Sequence, residues 1–335
     1  MPERKILDKT GKRLEKWIKE TEPPEMFPSL AVVLWGGIGD AILFSPVLRG
    51  LRKKGEKIFL FTHHPIIHKL FITTHERHFI FSTPYTLLRL LRVLKPQGAV
   101  TNVASPSFKT SAVFFLSRIP YRAGFPEGGR GFLYNIRIHG NNGHEVERNM
   151  RILEKFGLSP GGFYPDIPFK RKPEKILVIH PGSGPRQLFK RWDPEKFGKA
   201  GREMEKRGWK VLIAGWGDEI NILWKVGKYI DNPVYLKSPS LSLLVSVFEK
   251  TSFILANDTS FVHLGALFRV PSVVIFGPTD ERRYHPWGVP YRIVKKDLPC
   301  RPCFNYKRIR CDVRCIKEIE VEDVMEKIDE LLEEI

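Results

Sequence analysis

The sequence predicts an α/β protein made of two halves, each built on a parallel sheet. Three observations carry this. Short apolar runs recur along the 335 residues, separated by stretches whose apolar residues follow helical spacing. The best of these runs stop at Gly-, Pro- or Asp-rich turns from which the next helix starts, as βαβ units do. Around residues 157–173 the alternation gives way to Gly161-Gly162, Pro165, Pro168 and Lys170-Arg171-Lys172-Pro173, the composition of an interdomain linker.

In the first half, Leu30 to Leu34 reads as a buried strand and Trp35-Gly36-Gly37-Ile38-Gly39-Asp40 as a Gly-rich turn. Residues 41–54 continue as one helix with Ile42, Leu43, Val47, Leu48 and Leu51 at helical spacing. Strands follow at Ile58 to Phe61 and Ala99 to Val103, with helical segments containing Leu87 to Leu94 and Val113 to Leu116. The second half repeats the scheme with strands at Lys175 to Ile179, Val211 to Ala214, Val234 to Leu236, Phe253 to Ala256 and Ser272 to Phe276. Asp193-Pro194-Glu195 opens a helix there, Asp as N-cap and Pro at the first position. Val321 to Ile335 is an acidic amphipathic helix able to pack on either half. Ahead of Pro23-Pro24, Ile6, Leu14, Trp17 and Ile18 share a helix face among lysines; docking on the protein is favoured over a membrane surface because acids nearly balance bases. The expected division is an extension over 1–28, a domain over 29–165, a second over 166–318 and a terminal helix over 319–335.

Composition narrows the function. No apolar run approaches the roughly 20 residues that span a bilayer, and the mixed-charge N-terminus has no apolar signal core, so a cytoplasmic protein is expected. The balance of 55 basic and 37 acidic residues, +18, favours an anionic partner: nucleic acid, an acidic membrane face or a phosphorylated substrate. No aromatic-basic RNA motif or recognition helix supports nucleic acid, which is not expected as a partner. The G-x-x-x-x-G-K-[ST] pattern of ATPases is absent. So is G-x-G-x-x-G with an acid about 20 residues on, which removes support for a nicotinamide cofactor.

Four constellations carry chemistry. In Asn257-Asp258-Thr259-Ser260-Phe261-Val262-His263, a strand stops at small polar residues and a helix starts, so free N–H groups and hydroxyls meet beyond a strand's carboxyl end. A phosphorylated sugar nucleotide suits such a site. His180-Pro181-Gly182-Ser183-Gly184 with Lys190-Arg191-Trp192 adds N–H donors, a hydroxyl and cations, the equipment a diphosphate needs. Gly36-Gly37-Ile38-Gly39-Asp40 lets backbone approach a ligand; its Asp is either a helix cap or a carboxylate placed to take a proton from an attacking hydroxyl. Gly215-Trp216-Gly217-Asp218-Glu219 offers an acid for ribose hydroxyls or, equally, a capped helix start. Separately, Cys300, Cys303, Cys311 and Cys315 have the spacing of a compact zinc knuckle. Arg301, Lys307, Arg308, Arg310 and Arg314 around them are expected to favour thiolates, and reduced free thiols are the alternative.

Over roughly residues 30 to 330 the chain resembles glycosyltransferase family 9, the bacterial heptosyltransferases of the lipopolysaccharide inner core. The resemblance rests on Ile38-Gly39-Asp40 with Ser45-Pro46, Lys190-Arg191-Trp192, Asp258-Thr259 with His263, Phe276-Gly277-Pro278-Thr279 and the late Cys-x-x-Cys segment. It implies two Rossmann-like domains facing a cleft (the GT-B type), the first for the acceptor and the second for a nucleotide-sugar donor, with the C-terminal helix crossing back to the first domain. It also implies inverting transfer of a heptose, from ADP-heptose as the expected donor, to an anionic lipopolysaccharide-core-type glycolipid at the inner membrane. No cofactor is required by it, and structural zinc at the cysteines stays open. Carried over by position, Asp40 is the expected base, Ser183 and Lys190 the phosphate contacts, Glu219 the ribose acid, and Asp258, Thr259 and His263 the donor motif. Ser260 departs from the family's usual Gly, placing a side chain where backbone approaches the donor. Two other readings remain open: a relative using another nucleotide sugar, and a catalytically decayed scaffold that binds anionic polymers or membrane.

Overall fold

Two parallel six-stranded sheets organise the chain, one in each of two compact units, Met1–Phe163 and Tyr164–Ile335. The structure is a computed structural model that describes every residue except 1–9, 72–75, 105–106, 141, 163–168, 305–308 and 310. Ile6, Pro165, Pro168, Lys307, Arg308 and Arg310 lie outside the described residues.

The first sheet holds β1 (Leu30–Val33), β2 (Ile58–Thr62), β3 (Glu76–Ile80), β4 (Gly98–Thr101), β5 (Tyr121–Gly124) and β6 (Ile136–Arg137) in the order β3-β2-β1-β4-β5-β6. β1 and β2 are buried at every position, as strands covered on both faces must be. The crossovers are α1 (Ile38–Leu43), α2 (Ser45–Leu51), α3 (Pro65–Leu70), α4 (Pro84–Leu94) and α5 (Ser107–Leu116), with α6 (Glu145–Lys155) closing the unit. Residues 41–54 are two helices rather than one. The first ends at Phe44 and Pro46 stands in the first turn of the next, where its missing N–H costs nothing.

The second sheet holds β7 (Glu174–His180), β8 (Lys210–Gly215), β9 (Val234–Lys237), β10 (Thr251–Asn257), β11 (Ser272–Ile275) and β12 (Tyr291–Val294), ordered β12-β11-β10-β7-β8-β9. Counted from its own first strand this is again 3-2-1-4-5-6, the doubly wound Rossmann order. Its helices are α7 (Pro194–Lys206), α8 (Ile220–Gly227), α9 (Leu241–Lys250), α10 (Ser260–Leu267), α11 (Glu281–Tyr284), α12 (Arg314–Lys317) and α13 (Val321–Leu332). Asp193 caps α7, its side chain accepting from Glu195 N–H, with Pro194 at the first position. In this topology a ligand binds outside the carboxyl ends of the strands where the order reverses, between β1 and β4 and between β7 and β10.

The C-terminal helix belongs to the second unit. Val324, Ile328 and Leu331 of α13 are fully buried in one core with Val294, Ile316 and Ile319. Trp192 Nε1 donates to Ile319 O at 2.9 Å, fastening the segment that leads into α13. At the other end, residues 10–17 are helical, and Arg137 donates to Glu15 O at 2.7 Å and Ile18 O at 3.0 Å. The extension is thus tied to the first unit through its backbone, while Trp17 stays 83% exposed. Strands β3, β5, β6 and β12, absent from the sequence reading, are short or carry charged residues, so no apolar run marks them.

Candidate functional site

In the second unit three loops meet beyond the switch point: the one after β7, the one after β10 and the one after β11. Asn257, the last residue of β10 and fully buried, joins the first two. Its Oδ1 accepts from Trp192 N–H at 3.0 Å, and its Nδ2 donates to Pro181 O at 2.9 Å and Gly182 O at 3.2 Å. Asp258 then gathers all three. Lys190 Nζ donates to Asp258 Oδ2 at 2.7 Å and to Asp258 O at 3.2 Å, and Thr279 Oγ1 donates to the same Oδ2 at 2.7 Å. Lys190, Asp258 and Thr279 are all buried. Two of the three lysine N–H donors are used on Asp258, and Phe304 lies 5.9 Å from the ammonium along its ring face.

Ser183, buried, is held from both sides: its hydroxyl donates to Gln187 O at 2.9 Å and accepts from Arg191 Nε at 3.0 Å, while Arg191 also donates to Ser183 O at 2.8 Å. Arg191 therefore shapes this loop, with Asp218 3.7 Å from its guanidinium. Glu219 is buried and accepts from Trp216 N–H at 3.1 Å, the capping role open to it from sequence. Its carboxylate also lies flat against Gly182: a Cβ there would stand 2.3 Å from the Glu219 carboxyl carbon. A side chain at 182 would push that carboxylate aside.

Thr259 caps α10, its hydroxyl accepting from Phe261 N–H at 3.3 Å, and Ser260 is exposed at the helix's first position. His263, one turn in, is buried, and its Nδ1 has no hydrogen-bond partner among the described residues. Burial pushes its pKa down to about 4, with Asp258 opposing the shift and Lys190 and His285 adding to it. His180, at the end of β7, is lowered for the same reason, against the pull of Glu219, and its Nδ1 lies 3.0 Å from Ala214 O. Both rings are neutral at pH 7.

Asp40 belongs to the first unit. Its Oδ2 accepts from Gly37 N–H at 2.7 Å, capping α1, and the side chain keeps partial exposure. Gly36, at φ +94°, could carry no Cβ beside that carboxylate. Asn102, just past β4, fixes the same loop: its Oδ1 accepts from Trp35 N–H at 3.0 Å and its Nδ2 donates to Trp35 O at 2.8 Å. The structure thus joins Lys190 to Asp258, sets Glu219 against Gly182, and keeps Asp40 in a separate loop of the other unit.

The four cysteines are free, Cys315 buried and the others exposed. Among the described residues no group of three or more His, Cys, Asp or Glu is arranged to hold a metal ion. The expected ease of ionisation is reversed at two of them. Burial pushes the Cys315 thiol up to about 11, more than Arg301 lowers it, and Cys303 is also raised, first by desolvation and then by Cys300 and Cys311.

Asn257, Thr279, Arg191 and Asn102 were not singled out from sequence as site residues. The available signal was position: each stands at or just past the end of a strand, or beside a residue that was singled out.

The model of "Glycosyltransferase family 9 (heptosyltransferase)" matches residues 88–311. Lipooligosaccharide heptosyltransferase 2 of Campylobacter jejuni is 27% identical over 214 residues, 56% of this chain and 64% of that protein, so the chain aligns with just under two thirds of that relative's length. A glycosyl transferase family 9 structure from Veillonella parvula superposes with a TM-score of 0.72 at 18% identity, covering 94% of this chain and all of that one. The E. coli ADP-heptose lipopolysaccharide heptosyltransferase II structure gives 0.67 at 16% identity, over 91% and 99%. These solved structures share the fold.

Two outcomes follow from the buried groups. Lys190→Ala leaves the Asp258 carboxylate buried without its cation, so stability falls by about 3–5 kcal/mol. The Lys190→Ala/Asp258→Ala double variant loses less than the sum of the singles, read by urea denaturation of all four proteins. Because His263 has a folded pKa near 4 against 6.5 unfolded, its contribution is complete above pH 6.5 and is lost as pH falls toward 4. The loss is about 3 kcal/mol. Denaturation at pH 7 and pH 4 is expected to show the wild type losing that much more than His263→Gln; equal losses would remove His263 as the cause.

Proposed function

Since the chain belongs to glycosyltransferase family 9, we propose that it transfers a heptose from a nucleotide-activated donor, ADP-heptose, to an anionic lipopolysaccharide-core-type acceptor, with inversion at the anomeric carbon. The observation that carries this reading is the Lys190–Asp258–Thr279 cluster at the switch point of the second sheet. It holds an ammonium in place beside the N-terminus of α10, the arrangement that suits a diphosphate.

In this reading the second unit holds the donor. The remaining N–H of Lys190, with the amides of the Gly182–Gly184 turn and the hydroxyls of Thr259 and Ser260, offsets charge that builds on the departing nucleoside diphosphate. Ser183 and Arg191 keep that turn in shape. Glu219 accepts from the ribose hydroxyls, and Asp258 and His263 support the donor from below as positioning groups. The first unit holds the acceptor. Its hydroxyl oxygen forms the new bond to the anomeric carbon as the bond to the diphosphate oxygen breaks on the opposite face, and the hydroxyl proton passes to Asp40. The Gly37 N–H that Asp40 accepts from orients the carboxylate for that transfer. The acceptor reading places the enzyme in the cytoplasm with peripheral contact at the inner membrane, where lipid-linked acceptors are. No cofactor enters the reaction, and a zinc ion at the four cysteines would be structural.

Calorimetry with ADP, GDP, UDP and their sugars tests the donor: ADP compounds are expected to bind, preference for another base transfers the reading to another nucleotide sugar, and no binding by any of them leaves only a decayed scaffold. Asp40→Asn is expected to keep donor affinity and lower turnover by about 100-fold or more. A drop in melting temperature at normal turnover would make Asp40 a helix cap alone. Elemental analysis of protein purified without chelator reads the cysteines, where near-stoichiometric zinc supports a knuckle and four titratable thiols exclude it.

A further inference from the structure

Residues 77–126, a run of fifty, contain no Asp or Glu and seven Lys or Arg. The first unit as a whole has 25 basic and 13 acidic residues. Within the run, α4 and α5 pack side by side, and Arg92 of α4 donates to Leu116 O at the end of α5 at 3.3 Å. Each helix turns one stripe inward: Leu87 and Leu91 from α4, Val113 and Phe114 from α5, into the core that contains Phe61 and Phe81. What each leaves outside is unusual.

On α4 the outward residues are Tyr85, Arg89, Arg92 and Val93, which fall within one helix face at 3.6 residues per turn. Tyr85 is 66% exposed and Val93 79%. On α5 they are Phe108, Lys109, Phe115 and Leu116, again one face, with Leu116 51% exposed and Phe115 45%. The Arg89 guanidinium lies 6.0 Å from the Tyr85 ring centre and that of Arg122 5.5 Å from the Phe115 ring centre, so cations and apolar surface interleave. No carboxylate among the described residues pairs with Arg89, Arg92, Lys109 or Arg118. Exposed apolar side chains in neighbouring stripes mark a surface that meets something. The cations among them that pair with no carboxylate define what: an apolar phase bordered by negative charge.

We infer that the outer faces of α4 and α5 dock the first unit on an anionic lipid bilayer, Val93, Phe115 and Leu116 entering the headgroup–acyl boundary and Arg89, Arg92, Lys109 and Arg118 meeting lipid phosphates. The inference rests on the reading above that the acceptor is lipid-linked, and it assigns the membrane contact to particular residues. Cations near an anionic surface and apolar side chains below it add their effects, as in interfacial helices. A second copy of the chain would bring these same cations against one another, which disfavours self-association through this face.

The full-length protein is sedimented with vesicles of phosphatidylcholine alone and of phosphatidylcholine with phosphatidylglycerol. Binding to the anionic vesicles only, weakened at high salt, is expected. Val93→Glu/Leu116→Glu should cut the partition coefficient by about tenfold or more, with an unchanged denaturation midpoint since both positions are solvent-facing. Nucleotide binding and turnover on a deacylated, water-soluble acceptor should be unaffected in the same variant. Anionic-vesicle binding equal in variant and wild type, or absent from both, overturns the inference. So does a dimer in light scattering that the double variant dissolves, because the face would then be covered by a second copy. Should no nucleotide bind while vesicle binding behaves as expected, the transferase reading fails and the docking face stands.

Discussion

Each unit depends on one asparagine at the end of its fourth strand. Asn102 follows β4 and Asn257 ends β10, and both are buried where the strand order reverses. Each turns its amide onto the backbone of the loop leaving the first strand, Trp35 in one case and Pro181–Gly182 in the other. A switch-point loop has no neighbouring strand to satisfy its backbone, so buried N–H and C=O groups there need another partner. A carboxamide has both an acceptor and donors, and it meets that need without adding charge. The loops that carry the chemistry are open because the sheet splits there, and they are ordered because an asparagine replaces the missing strand.

What stands beside each asparagine differs, and the difference divides the labour. Next to Asn257 is Asp258, which holds Lys190 and Thr279 and forms a buried, satisfied ion pair. A lysine on a free loop would lose rotamer entropy when it met a ligand; one already fixed by a carboxylate has lost it on folding. The same pairing weakens the positive field the lysine presents, so in the proposed reading the amides of the β7 loop and of α10 supply the rest. In the first unit the loop beside Asn102 holds the partly exposed carboxylate of Asp40, which accepts from Gly37 N–H. In the proposed reading this is the carboxylate that takes the acceptor's proton.

Much of this was legible in the sequence because the motifs fall at strand ends. The central strands of both sheets read clearly, being apolar at nearly every position, and the capped start of α7 followed from Asp193-Pro194. Edge strands did not: β3 reads Glu-Arg-His-Phe-Ile and β6 is two residues long, and pairing with a neighbour, not local pattern, makes them strands. The side-chain pairing of Lys190 with Asp258 joins residues 68 apart, and Thr279 adds a third loop. Spacing along a chain carries no sign of such contacts. Ser183 and Lys190 were singled out as ligand contacts by residue type, yet in the folded protein each first serves a neighbour. The C-terminal helix was legible as an amphipathic helix but not as to its partner, which Trp192 and the β12 face decide.

Charge is distributed unequally for a physical reason. In the second unit the acidic C-terminal helix and the residues leading into it answer the basic residues they touch: Lys196 pairs with Glu320, Lys296 with Asp323, Arg207 with Asp329 and Arg292 with Glu330 and Glu334. Such exposed pairs add little stability each, but they remove long-range repulsion from a unit that contains a buried Lys190 and a loop arginine. The first unit has no such counterpart over its acid-free fifty residues. Leaving Arg89, Arg92, Lys109 and Arg118 without a carboxylate partner among the described residues costs the folded state self-repulsion, which salt screens only partly at these spacings. Exposed Val93, Phe115 and Leu116 among them cost further solvation of apolar surface. A surface that combines both costs is relieved by one environment, negative on its border and apolar beneath, and the lipid-linked acceptor proposed for this unit lies in that environment.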